Sequence, residues 1–153
     1  MKTIILFLSA FASLSAMADP VITLTKVSTN PSLPPQYRST FTCSISGDQT
    51  TISVSSGVVP STQGSTVATT YTKAVPSAEV LNSLVGDAAR APVQTVPHPG
   101  PHPVGGTTVT YDANIDANPA LLLLRSSRVV IQQNNSAAAG SLIELMDLNC
   151  PNN

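Results

Sequence analysis

The chain has 153 residues, seven basic and eight acidic, with only 10% of its side chains charged. That balance leaves no electrostatic footprint for nucleic acid or an anionic membrane surface. Aromatics at 4% and the lack of any tryptophan make a poor lining for a sugar cleft, which argues against glycoside cleavage by paired carboxylates.

The first residues, Met1-Lys2-Thr3, lead into the apolar run Ile4-Ile5-Leu6-Phe7-Leu8 and close on Ala16-Met17-Ala18. One positive charge, a short apolar stretch and small residues around a larger one form the three parts of a secretory signal peptide, with cleavage expected between Ala18 and Asp19. A spanning helix needs roughly 20 apolar residues, and Ser9, Ser13 and Ser15 interrupt this shorter run. The expected division is therefore 1–18 as signal peptide and 19–153 as a single domain with no membrane anchor once the signal is removed. Lys2 leaves with the signal, so six basic residues face eight acidic ones. Two cysteines in an exported chain pair most simply with each other, because the compartment beyond the membrane, periplasmic or extracellular, is oxidising. Cys43 and Cys150 are 107 residues apart, and closing such a loop contributes at most about 4–5 kcal/mol in the chain-entropy model.

Along the mature chain, β-branched residues dominate 21–29 until Asn30-Pro31 and Pro34-Pro35 end the run, which predicts a first strand and an extended connector. Tyr37, Phe41, Cys43 and Ile45 then alternate with Arg38, Thr40, Thr42 and Ser44, a half-buried strand with the cysteine on its apolar face. Gly47-Asp48-Gln49 and 60–64 read as turns around a hairpin strand, and a further strand over Val67–Val75 completes a meander of four. At Pro76-Ser77 the period changes: Leu81, Leu84, Val85 and Ala88 form a helical stripe from about Ala78 to Arg90, capped by Ser77. The stretch from Pro92 to Gly106 is rich in proline and glycine and is predicted as a surface loop. Val109, Tyr111, Ala113 and Ile115 alternate again. Leu121–Leu124 and Val129–Ile131 follow as a hairpin whose non-alternating leucines suggest cover on both faces. Ala139, Leu142, Ile143 and Met146 make a second helical stripe that continues to Cys150; this helix starts near Ser136, or at Ser141 if Ser141–Glu144 is a capping box. The sum is an α+β fold: an antiparallel sheet of about six to seven strands, meander plus C-terminal hairpin, with two helices packed on it and one disulfide.

The most unusual stretch is Pro97-His98-Pro99-Gly100-Pro101-His102-Pro103. Two imidazoles four residues apart on a polyproline segment lie about 12 Å from each other, too far to share an ion, and no third ligand is near in sequence. As a recognition loop the stretch fits better, because prolines reduce the entropy lost on binding and the imidazoles offer hydrogen-bonding groups. The plain alternative is a stiff connector. Asp112-Ala113-Asn114-Ile115-Asp116 copies the opening of a calcium loop, but Ala117 and Leu123 stand where that loop needs Gly and Glu. Neither Gly-x-Ser-x-Gly nor His-Glu-x-x-His occurs. No catalytic residue, cofactor or metal is expected. The reading is an exported, non-enzymatic binding domain whose partner is a protein or an envelope component, with a secreted protease inhibitor as its sharper form. The alternatives are a small hydrolase or metal-binding protein using the Pro-His loop, and a structural envelope component.

Overall fold

The computed structural model describes residues 21–34, 37–46, 49–56, 66–72, 75–100, 106–115 and 120–150. Its elements in chain order are β1 (Ile22–Thr29), β2 (Ser39–Ser46), β3 (Gln49–Ser56), β4 (Thr66–Thr72), α1 (Ala78–Ala89), β5 (Val93–Pro97), β6 (Thr108–Ile115), β7 (Leu121–Ser126), β8 (Val130–Asn134) and α2 (Ala137–Asn149). All eight strands join one antiparallel sheet in the order β4-β3-β2-β1-β6-β7-β8-β5. The α+β class, the two helices and the Cys43–Cys150 disulfide are as expected. The two edge strands, β4 and β5, are consecutive in sequence, so α1 and its connectors carry the chain across the width of the sheet.

Period-two patterning puts one face of the sheet against the helices. Ile22, Leu24 and Lys26 of β1, Cys43 and Ile45 of β2, and Tyr111 and Ala113 of β6 are buried. They meet Leu81, Val85 and Ala88 of α1 and Ala139, Leu142 and Met146 of α2 in a single core. On the opposite face the intervening residues are mostly hydroxylated. Thr23, Thr25 and Thr29 lie opposite Ser46, Ser44 and Thr40 on one side, and Thr25 and Thr29 lie opposite Asp112 and Thr108 on the other. An antiparallel sheet commonly keeps one solvated face, and here threonine, a strong strand former, supplies much of its polarity.

Both helices begin where a serine satisfies amides that the first turn cannot pair. The Val80 N–H donates to Ser77 Oγ at 3.5 Å, and the Ala139 N–H donates to Ser136 Oγ at 3.1 Å. The second bond excludes the later start at Ser141. Asn134, the buried last residue of β8, ties three elements together. Its side-chain amide donates to the Ala88 carbonyl at 2.7 Å, and its Oδ1 accepts the Ser136 N–H at 3.0 Å.

Four local expectations are corrected. Residues 93–97, assigned to the long loop, form β5, the outer partner of β8. The hydrogen bond from the His98 N–H to the Val129 carbonyl, 2.9 Å, fixes which backbone groups face β8. By antiparallel alternation those of Pro97 point away from it. A proline on an edge, with its missing donor turned outward, is compatible with a strand. Tyr37 is not part of β2 but 66% exposed. Its N–H bonds the Pro34 carbonyl at 2.8 Å, while the Asn30 side chain holds the Tyr37 carbonyl and the Ser39 N–H. Val129 is exposed in the β7–β8 turn, which Ser127 closes through Val130. The leucine run, finally, is irregular because of a bulge, not because both faces are covered. Leu124 opposes Tyr111 and Leu122 opposes Asp112, so Leu123 is inserted between them. Leu121, Leu123 and Leu124 all reach the core.

Candidate functional site

Two places in the fold concentrate polar chemistry or unusual backbone: a clasp at the centre of the sheet and the Pro-His segment at one edge. The clasp is built on a register row. Cys43 of β2, Lys26 of β1 and Tyr111 of β6 are cross-strand partners on the helix-covered face. The last turn of α2 delivers Asp147 and Cys150 onto the same row. Cys43 and Cys150 are bonded, with Cα atoms 5.9 Å apart, and both are fully buried.

Lys26 is 1% exposed. Removing an ammonium from water costs several kcal/mol, so its partners must replace the lost hydration. Lys26 Nζ donates to Asp147 Oδ1 at 2.7 Å and to the Cys150 carbonyl at 3.2 Å, and it stands 5.5 Å from the centroid of the Tyr111 ring. The Tyr111 hydroxyl donates to the same Asp147 oxygen at 2.8 Å. Burial, this hydrogen bond and the charge of Asp147 together push the Tyr111 hydroxyl well above the ordinary tyrosine range, so it stays a donor. An acid in the last turn of a helix opposes the helix dipole; Lys26 is the cation that makes Asp147 favourable there. Asp147 itself is 48% exposed, so the pair is dry at one end and wet at the other. Lys26 and Tyr111 thus both donate to Asp147, and Lys26 also donates to the Cys150 carbonyl, which suits a lock on the C-terminal helix.

The Pro-His segment begins where β5 ends. Pro97 is the last residue of that strand, and His98 is anchored by its N–H to Val129. The His98 ring nitrogen Nδ1 is buried and has no hydrogen-bond partner among the described residues. Pro99 is exposed, and Gly100 has φ of +97°, a conformation that favours glycine. Pro101, His102 and Pro103 lie outside the described residues, as do Ala18, Asp19 and the segment 1–18. Along β5, Val93 and Thr95 are exposed, and Gln94 is tied to Asn135 by a side-chain bond of 2.6 Å.

Among the described residues no group of three or more His, Cys, Asp or Glu side chains could hold a metal ion, and no helix is long and apolar enough to cross a membrane. Asp112 and Asn114, which opened the calcium-like spacing, lie on β6 and pair with Thr25 and Thr23 of β1, a ladder and not a loop. Burial raises the Asp112 carboxyl above the usual aspartate range, with Arg125 partly offsetting it. Of these features, Lys26 was the one open to sequence reasoning and missed: it falls in phase with Ile22 and Leu24, where alternation places it inside. Its partner is 121 residues away, and nothing local points to it. No family model, curated protein or solved structure matches the chain.

Proposed function

We propose that this chain is an exported, non-enzymatic binding domain that presents the rim formed by β5 and the Pro-His segment to a protein partner. The observation that supports this most is the way that segment is mounted. Its first residues belong to an edge strand, His98 is pinned to the neighbouring turn, and the tail that closes the core is covalently tied to the sheet. A rigid, proline-flanked strand end loses little conformational entropy when it docks. Val93, Thr95 and Pro99 offer exposed side chains there for recognition.

The sharper form is inhibition of a secreted protease by this segment. Purified exported chain is titrated against representative serine, cysteine and metalloproteases, alongside a variant lacking 98–103. Inhibition that disappears in the variant supports the inhibitor reading; no inhibition in any class removes it. The broader reading is tested by pull-down from the extracellular or periplasmic fraction with the same pair of proteins. A partner retained equally well by the variant would place binding elsewhere and overturn it.

A further inference from the structure

The two edges of the sheet are built differently. At β5 the strand has five residues, Pro92 precedes it, Pro97 turns its missing donor outward and Pro99 follows. Short length and prolines are devices that stop further strands from adding. β4 has none of them. Its sequence, Thr-Val-Ala-Thr-Thr-Tyr-Thr, holds no charge and no proline, and it pairs with β3 from Thr66 to Thr72 without a register shift. Among the described residues no strand pairs with its outer side.

We propose that β4 is a self-association edge, along which two copies of this chain pair antiparallel into one continuous sheet. A two-fold axis through Thr69 sets Thr66 opposite Thr72, Val67 opposite Tyr71 and Ala68 opposite Thr70. The register contains no like-charge pair and includes a β-branched residue against an aromatic on each side of the axis, a favourable cross-strand combination. Thr69 of β4 pairs with Ile52 of β3, which in turn pairs with Cys43 of β2. The helices make their main sheet contacts with β1 and β7. A second copy also fits the asymmetry of the edges. With one open edge and one guarded edge per chain, an isologous contact closes after two subunits instead of growing into a fibre.

The test is size-exclusion chromatography with light scattering on the exported, oxidised chain over a range of concentrations. The expected mass is twice that of one chain. In Ala68→Lys/Thr70→Lys four ammonium groups converge across the axis, whereas each separate chain gains only two. It should run at half that mass with an unchanged far-UV circular dichroism spectrum, while Val93→Lys/Thr95→Lys stays dimeric. Hydrogen exchange on the unmutated chain provides a measurement independent of whether the variant folds: amides of 66–72 should exchange faster on dilution. A wild-type monomer at every concentration overturns the proposal, as does a lysine variant that folds and stays dimeric, or β4 exchange that ignores concentration.

Discussion

Removing the two ends of the Lys26–Asp147 pair should have unequal consequences. Asp147→Ala leaves a lysine that is 1% exposed with only the Cys150 carbonyl and the Tyr111 ring as partners, and takes the acceptor from the Tyr111 hydroxyl. Stranding one member of a buried ion pair costs roughly 3–5 kcal/mol. Here Asp147 is half exposed and the carbonyl remains, and losing an acid from the last helical turn recovers a few tenths. The expected loss is about 2 kcal/mol. Lys26→Met fills the same space with an apolar chain and leaves Asp147 hydrated from its exposed side, so the change should stay within about 1 kcal/mol of wild type in either direction. Urea unfolding of the oxidised proteins reads both from the midpoint at constant m-value. If Lys26→Met is as damaging as Asp147→Ala, or if Asp147→Ala is neutral, the burial argument for the clasp is wrong.

Replacing both cysteines, Cys43→Ala with Cys150→Ala, should lower stability by up to about 4 kcal/mol, measured by the same urea midpoint; a loss below about 1 kcal/mol would show that the tail docks without help from the bond. Asp112 has its carboxyl raised by burial, so the folded state binds its proton more tightly than the unfolded chain and stability falls as pH rises through the window between the two values. Asp112→Asn should flatten the pH dependence of the unfolding midpoint in that window and raise stability at neutral pH. Asn134→Ala strips the Ala88 carbonyl and the Ser136 N–H of a buried partner. It should cost about 2 kcal/mol and speed amide exchange in the first turn of α2.

Elements governed by local rules were legible. The switch of period at Pro76-Ser77 and the apolar spacing from Leu81 to Ala88 predict α1 almost residue for residue, and the stripe from Ala139 to Cys150 does the same for α2 and its covalent tie. What failed was set by position in the sheet. Prolines at 92, 97 and 99 argue against a central strand, but whether a strand lies at an edge depends on neighbours that the sequence does not name, and at an edge Pro97 is tolerated. Tyr37 alternates correctly with Phe41, yet the Asn30 side chain, seven residues upstream, holds its carbonyl in a turn. The clasp was half visible. Alternation turns Lys26, Cys43 and Tyr111 inward, but only the pairing of β1 with both β2 and β6 makes them one row.

The position of that row bears on how the two rims relate. α2 is fastened at its start through Ser136 and Asn134 and at its end through Asp147 and Cys150. Asn134 also holds the C-terminal end of α1, which carries the chain from β4 to β5. The centre is thus cross-braced between the two edges. A dimer formed through β4 should therefore alter the number of partner sites at β5 without altering each site. Against a soluble, monovalent partner, the monomeric Ala68→Lys/Thr70→Lys variant should bind with the same dissociation constant per chain as wild type. Against partner immobilised at high density it should dissociate faster, since two linked sites gain effective concentration that one site lacks. Surface plasmon resonance in both orientations separates these outcomes, and a weakened monovalent constant would mean that the clasped centre transmits strain between the edges after all.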